Sequence, residues 1–320
     1  MPTESTPQAA PPAPAQSSVT AQQDTNPLEQ KQLSDLTDYE IAQLTQSIKE
    51  ESAVERPLVG QLEPLLDTLT QEYTNKLIIN KVKYLDHQGY TGLRRARGDG
   101  DCFYRSFAFS YVERLLPQPP SAAQLALAKI ESLLPLLDQA GFMKDIYDDF
   151  YEPLKNLLVA LGSQQTTRPT NLSLHESFND PETSNAIVVF LRLLTSAYLK
   201  ANAEEFEPFL FSLEDDPRFI ESGRSPTIQE FCSLHVEPVQ KEADHIQISA
   251  LTRALSINLK IAYLDQSQVP IMFGNGGGGG DNEVGQGEAK VNFVQFEEGA
   301  SETFEGALLY RPGHYDILYK

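Results

Sequence analysis

The stretch GDGDCFYR, residues 98–105, decides how this chain folds around its most reactive side chain. Its two glycines permit a sharp turn with backbone N–H groups on one side. Cys102 then falls in the first turn of a helix predicted over 102–116, where unpaired amides favour a thiolate. A competing interpretation stays open, because a single cysteine among aromatic residues is more often a small buried apolar side chain. The candidate donors to an oxyanion are the amides of Asp99, Gly100, Asp101 and Cys102.

A second motif, GHYD at 313–316, lies at the start of the predicted final strand. Side chains two positions apart in a strand share a face, roughly 6.5 Å apart along the chain. Asp316 can therefore accept a hydrogen bond from one nitrogen of His314, which leaves the other nitrogen to take a proton from Cys102. An isolated His-x-Asp pair is usually only solvated, but the two motifs together supply a nucleophile, a base, an orienting carboxylate and oxyanion donors.

Helical periodicity dominates the middle of the chain and strand periodicity dominates its end. Helices are predicted over 122–138, over 145–161, from the Asp180–Pro181 cap through Tyr198, and from Asp244 to 254 or 255. A further helical stretch is predicted from the spacing of Leu62, Leu65, Leu66 and Leu69. Strands are predicted at 258–264, 291–296, 307–310 and 315–319. Helices first and strands last favour an α+β domain with a mostly C-terminal sheet.

Two segments differ from the rest in composition. Residues 1–34, rich in Pro, Gln and Ala, are predicted to form a disordered tail. The catalytic domain is then expected over 35–320, beginning with a helical arm at about 37–50, where Thr37 and Glu40 have capping-box spacing. The Gly-rich segment 274–287 is predicted to be a loop, and it lacks the GK[ST] ending of a phosphate-binding loop.

The charge balance narrows the choice of partners. Forty-five acidic and 25 basic residues give a net charge of -20, so nucleic acid and membrane surfaces are poor partners. A basic protein substrate would be attracted, although an acidic face that only keeps a protein soluble is as common.

The two cysteines are too few for a disulfide scaffold or a zinc site. The absence of Lys and Arg from the first 30 residues argues against a mitochondrial presequence. Because so few cysteines suit a reducing compartment, we expect a cytoplasmic, and possible nuclear, location.

Several stretches resemble one known family of enzymes. DGDCFYRSF at 99–107 resembles the nucleophile motif of ovarian-tumour-domain cysteine proteases, and LLYRPGHYDILYK at 308–320 is similar to the C-terminus of the otubain branch. The resemblance spans about residues 35–320. Its intermediate stretches are SFND at 177–180, LRLLTS at 191–196, FC at 231–232 and DHI at 244–246.

The resemblance implies a papain-like α+β scaffold that hydrolyses isopeptide bonds in ubiquitin chains without a metal or cofactor. It makes Cys102 the nucleophile, His314 the general base and Asp316 the residue that orients it, and it assigns Asp99 to shaping the oxyanion loop. Otubains favour the compact linkage that marks proteins for the proteasome. They also bind ubiquitin-conjugating enzymes, so a non-catalytic inhibitor of those enzymes is the alternative function. An inactive ubiquitin-binding domain is a third option, which the intact Cys, His and Asp set opposes.

Some polar residues have weaker predicted roles. The acidic cluster Asp145, Asp148 and Asp149 is usually a solvated helix face, but the corresponding region of otubains contributes to ubiquitin binding. His245 is interpreted as structural, with a position lining the ubiquitin groove as the alternative. Asp101 stands where otubains often have Asn, and a carboxylate there is expected to oppose thiolate formation if it points inward. Cys232 is predicted to be a buried structural thiol.

Overall fold

The computed structural model describes residues 56–163, 168–210, 219, 224–267, 290–296 and 305–320. These residues belong to one compact unit that spans 49–320. The predicted tail at 1–34, the predicted helix at 37–50 and the Gly-rich segment 274–287 lie outside the described residues, so they stay predictions.

A six-stranded mixed sheet organises the described residues. Its order is β1-β2-β6-β5-β3-β4. Strands β3 and β5 are parallel, and the other neighbours are antiparallel. Four of the six strands come from residues 258–319, which confirms the prediction of a mostly C-terminal sheet. The strands are β1 (Val59–Pro64), β2 (Gly92–Ala96), β3 (Asn258–Tyr263), β4 (Asn292–Phe296), β5 (Glu305–Arg311) and β6 (His314–Tyr319).

Helices supply most of the remaining structure, and their caps follow the sequence signals. Asp180 accepts the Thr183 N–H at 2.9 Å, and Thr227 and Asp244 form capping boxes. A 3₁₀ turn covers Glu207–Phe209 and a π-helical turn covers Cys232–Val236. The α-helices are α1 (Leu65–Glu72), α2 (Lys76–His87), α3 (Cys102–Leu115), α4 (Pro120–Gln139), α5 (Lys144–Leu161), α6 (Asn171–Asn179), α7 (Pro181–Ala201), α8 (Ala203–Phe206), α9 (Ile228–Phe231) and α10 (His245–Leu255).

The sheet separates two apolar clusters of unequal size. Because side chains alternate between the faces of a strand, Tyr315 and Ile317 of β6 pack into the larger cluster with α3, α4, α5 and α7. Leu318 packs into the smaller cluster, which α1 and α2 cover. Strand β6 is therefore a central strand with packed side chains on both faces, which fixes the position of the His314 motif at its start.

Helix α3 is the central helix of the larger cluster. Twelve of its 14 residues are buried. The helix packs on β6, since Ser106 Oγ donates to the Tyr315 carbonyl at 3.1 Å and the rings of Phe103 and Tyr315 lie 5.4 Å apart. This packing brings the first turn of α3, with Cys102, to the end of β6 at which His314 lies.

The N-terminal part of the sheet differs from the sequence prediction at two places. The leucine spacing predicts that Leu62 belongs to a helix, but it lies in β1 and is 53% exposed, and the helix begins only at Leu65. Strand β2, at Gly92–Ala96, was not predicted. Two arginines interrupt its apolar pattern, and its extended form depends on pairing with β1 and β6, which local sequence does not encode.

The length and hydropathy of the described helices bear on whether any of them could span a membrane. None of them alone is long and apolar enough to cross a bilayer. Only α7 taken together with residues 203–209, across a 90° bend, passes by length and composition. Helix α7 buries Ile187, Leu191 and Leu194 in the larger apolar cluster, as the core helix of a globular protein does.

Candidate active site

Cys102 lies at a helix start that a tight loop delivers. It is the first residue of α3 and 2% exposed. The preceding Gly100 adopts φ +82°, and a Cβ there would lie 2.2 Å from the Gln240 carbonyl oxygen. Only glycine combines this left-handed conformation with such a close approach. The loop therefore enters α3 in one compact conformation, which confirms the sharp turn predicted from the sequence.

His314 reaches the same place from the other end of the chain. It follows Pro312 and Gly313 (φ +74°) in the turn between β5 and β6, the Pro-Gly order that tight turns favour. Its Nδ1 lies 3.6 Å from the position that a Cβ on residue 98 would take. The side chain of Cys102 is close enough to the imidazole to contribute to the raised pKa of His314. The two motifs predicted from opposite ends of the domain are thus in direct contact.

Asp316 holds the other side of the imidazole ring. It is fully buried, and its Oδ1 lies 2.8 Å from Nε2 of His314. The same oxygen accepts the Ala96 N–H at 3.1 Å, and Oδ2 accepts from Arg311 at 2.5 Å. Burial alone would raise the pKa of Asp316, but the His314 hydrogen bond and the positive charges of His314 and Arg311 outweigh it and lower that pKa.

The pKa of His314 favours the charged imidazolium. Desolvation by burial lowers the pKa, but hydrogen bonds to Asp316 and Cys102 outweigh it and raise the pKa from 6.5 to about 9. At neutral pH the protonated form of the ring is therefore favoured. The arrangement is that of a cysteine beside a histidine that an orienting carboxylate holds.

The loop before Cys102 is fixed by its own acidic side chain. Asp99 Oδ1 accepts the Asp101 N–H at 3.0 Å and Nη1 of Arg105 at 2.8 Å. Because this N–H is already engaged, the prediction that Asp101 donates to an oxyanion is corrected. Cys102, at the first position of α3, has an amide without an acceptor inside its own helix. The Cys102 amide is therefore placed to donate to an oxyanion, and the part of the Asp99 and Gly100 amides stays a prediction.

Comparison with known proteins identifies the family. Residues 51–320 match the family model described as Peptidase C65 Otubain. The chain belongs to the otubain family. It is 38% identical over 276 residues to ubiquitin thioesterase OTUB1 of Rattus norvegicus, covering 85% of this chain and 87% of that protein. It is 35% identical over 292 residues to the Arabidopsis thaliana ovarian tumor domain-containing deubiquitinating enzyme 1, covering 85% and 84%.

Solved structures agree with this otubain assignment. A complex described as h/ceOTUB1–ubiquitin aldehyde–UBC13~Ub matches with a TM-score of 0.69 and 28% identity, covering 89% of this chain and 99% of that chain. A related complex with UBCH5B~Ub gives a TM-score of 0.66 at 29% identity, covering 88% and 98%. The papain-like α+β fold predicted from the sequence is confirmed.

The predicted ubiquitin-binding residues of this otubain lie on α5 and at the start of α10. Asp145, Asp148 and Asp149 sit on the first two turns of α5, where Asp148 pairs with the exposed Lys144 at 2.7 Å. His245 begins α10, and its ring lies 4.8 Å from the ring of Phe296 in β4. Their part in ubiquitin binding stays a prediction. Among the described residues, no group of three or more His, Cys, Asp or Glu is arranged to hold a metal ion.

Three arginines near the site were missed by the sequence analysis. Each forms an ion pair with an acidic residue that the motifs had singled out. Arg192 offered a usable signal, since it is the one charged residue in the run from Ala186 to Leu199. A charge in such an apolar stretch needs a buried partner. The pairs are Arg105–Asp99 at 2.8 Å, Arg192–Asp101 at 2.5 Å and Arg311–Asp316 at 2.5 Å.

Proposed function

We propose that this chain hydrolyses isopeptide bonds in polyubiquitin, with Cys102 as nucleophile, His314 as general base and Asp316 as the residue that orients the imidazole. Its enzyme class, cysteine-type deubiquitinase, follows from its membership of the otubain family. The observation that carries the residue assignment is the position of the His314 imidazole, which interacts with the Cys102 side chain and lies 2.8 Å from the buried Asp316 carboxylate.

The reaction follows from the protonation states. His314 holds the proton of Cys102, and the thiolate attacks the carbonyl carbon of the isopeptide bond. The tetrahedral oxyanion accepts a hydrogen bond from the Cys102 amide. As the carbon–nitrogen bond breaks, the imidazolium protonates the departing lysine amine, which leaves a thioester on Cys102. A water deprotonated by His314 then hydrolyses the thioester and restores the free enzyme.

Asp316 acts through His314 at each step. Its carboxylate stabilises the imidazolium and keeps Nδ1 aimed at the sulfur, while Arg311 keeps the carboxylate ionised. Asp99 shapes the loop that presents the nucleophile. A nucleophilic thiol stays reduced in the cytoplasm or nucleus, where we propose that the enzyme acts.

Labelling with a ubiquitin-based thiol-reactive probe, together with a panel of diubiquitins, tests this proposal. The expected adduct is on Cys102, with Cys232 unlabelled. The fastest cleavage is expected for the compact linkage that marks proteins for the proteasome, which the resemblance to otubains favours. Failure of every diubiquitin to be cleaved, or an adduct on Cys232 in place of Cys102, would reject the assignment.

A second function is supported by the solved relatives. The matched structures are complexes of h/ceOTUB1 with ubiquitin aldehyde and UBC13~Ub or UBCH5B~Ub. We propose that this chain also binds ubiquitin-conjugating enzymes and blocks chain synthesis through the helix predicted at about 37–50, which a deletion of residues 1–50 removes. Deleting these residues should abolish the inhibition of chain synthesis while most diubiquitin cleavage survives. Equal loss of both activities would count against a separate inhibitory role.

A further inference from the structure

Arg192 is a fully buried arginine in the middle of α7. Its guanidinium links three parts of the chain: α7, the loop before the nucleophile, and the segment 236–241. The contact to Asp101 is two-pronged, and the other acceptors are backbone carbonyls. The distances are 2.9 Å (Nε) and 2.5 Å (Nη2) to Asp101 Oδ1, 3.1 Å to Gly100 O, 2.6 Å to Lys241 O and 3.1 Å to Val236 O.

Asp101 joins the same segment from the opposite side. It is 6% exposed and occupies the N-cap position of α3, yet its carboxylate makes no capping hydrogen bond there. Its Oδ1 instead accepts the Gln240 N–H at 3.0 Å. Gln240 has φ +60°, a conformation that residues other than glycine rarely adopt. Its carbonyl packs directly on Gly100.

The pair also balances charge beside the nucleophile. A lone buried carboxylate at position 101 would oppose ionisation of the adjacent Cys102. Arg192 places a positive charge against that carboxylate, and its guanidinium carbon lies 4.5 Å from the centre of the Tyr104 ring. The paired carboxylate of Asp101 therefore opposes ionisation of Cys102 less than an unpaired carboxylate would.

Other ionisable groups surround the same thiol. His314 and Tyr315 face it from β6, and the charge of Asp99 is paired with that of Arg105. Glu242 lies beside the turn that precedes His314. None of these groups touches the Asp101 carboxylate in the contacts of the described residues, so a change in the Asp101–Arg192 pair can be followed separately.

We infer that Asp101 and Arg192 form a positioning pair for the nucleophile. The pair fastens the loop before Cys102 to α7 and to the segment 236–241, and it removes the electrostatic penalty of the Asp101 carboxylate. Both side chains are buried, so the pair acts through the position of Cys102. The inference rests on the proposed role of Cys102, so its first test uses a reaction that does not involve ubiquitin.

The first experiment measures the alkylation of Cys102 by iodoacetamide against pH, with the modified peptide identified by mass spectrometry. In Arg192→Met the carboxylate loses its partner, so the midpoint of the pH profile should rise by about 1 unit. Adding Asp101→Asn should return the midpoint close to that of the wild type. Arg253→Met, which removes a surface ion pair 3.1 Å long with Glu205, is the control and should not move the midpoint.

The rescue distinguishes a positioning pair from a merely structural one. If the midpoint does not rise in Arg192→Met, or stays raised in the double variant, the electrostatic part of the inference is overturned. If the wild type is alkylated normally but cleaves no diubiquitin, the proposed function is rejected, and the inference about the Asp101–Arg192 pair is unaffected.

A second pair of variants covers the case in which Arg192→Met does not fold. The side chain of Gln240 is exposed, so substitution there removes no core packing. Gln240→Pro deletes the N–H that Asp101 accepts and excludes φ +60°, whereas Gln240→Gly keeps both. The proline variant should lose about tenfold in kcat with little change in KM, and the glycine variant should match the wild type. Equal kcat values for the two variants would overturn the inference.

Discussion

The two cysteines of this chain are equally buried, but they differ in each feature that controls thiol chemistry. Cys102, 2% exposed, begins a helix and interacts with the side chain of His314. Cys232, 0% exposed, lies inside the continuous helical run 228–236, with its sulfur 3.8 Å from the Ser196 carbonyl oxygen. Burial raises the pKa of Cys232 to about 11. Burial alone therefore does not distinguish a nucleophile, whereas an adjacent base and free helix amides do.

The largest expected difference between the two cysteines appears when each sulfur is removed in turn. Cys102→Ala should lower diubiquitin cleavage by at least about a thousandfold, because no other group can form the thioester. Cys232→Ala should leave the rate of cleavage unchanged. Gel-based cleavage assays measure both, and binding of ubiquitin should persist in each variant. Comparable cleavage by the two alanine variants would show that the surroundings of Cys102 have no catalytic role.

The second largest effect is expected from the carboxylates near the two sulfurs. Asp316→Asn should lower kcat by about 10²- to 10⁴-fold, since a neutral amide neither stabilises the imidazolium nor enforces its tautomer. Glu237→Gln is the matched change near Cys232, where Glu237 adds to the rise in the thiol pKa. That variant should retain the wild-type kcat. A loss below threefold in Asp316→Asn would remove Asp316 from the catalytic set.

The sequence predicted the contact between Cys102 and His314, but not the groups that hold this contact in place. A cysteine at a helix start and a histidine before a strand are local patterns, and family resemblance joined them. The Asp101–Arg192 pair spans 91 positions in the chain, and the extended form of β2 depends on two partner strands. Such features arise from tertiary packing. The sequence held a signal for the Asp101–Arg192 pair, because a single charged residue in an apolar helix needs a buried partner.

A third prediction concerns pH and stability at His314. Between pH 6.5 and about 9 the folded state holds a proton on His314 that the unfolded chain has lost. The stabilisation is complete below pH 6.5 and is lost as pH rises through about 9, by about 1–3 kcal/mol. Urea unfolding of the wild type and of His314→Ala at several pH values measures this difference. Parallel stability curves for the two proteins would show that the imidazole is not held in its charged form.

The smallest effect should come from the packing around Cys232. Its sulfur lies in an apolar cluster with Leu199, Phe206, Ile228 and Phe231. Cys232→Ala removes one buried atom from this cluster and should lower the free energy of unfolding by about 1–2 kcal/mol, while kcat and KM for diubiquitin stay unchanged. Cys232→Ser keeps the size but buries a hydroxyl, so it should destabilise at least as much unless the Ser196 carbonyl accepts its hydrogen. Urea unfolding and steady-state kinetics on the same samples separate stability from activity. A fall in kcat with unchanged stability would give Cys232 a catalytic role that its surroundings do not support.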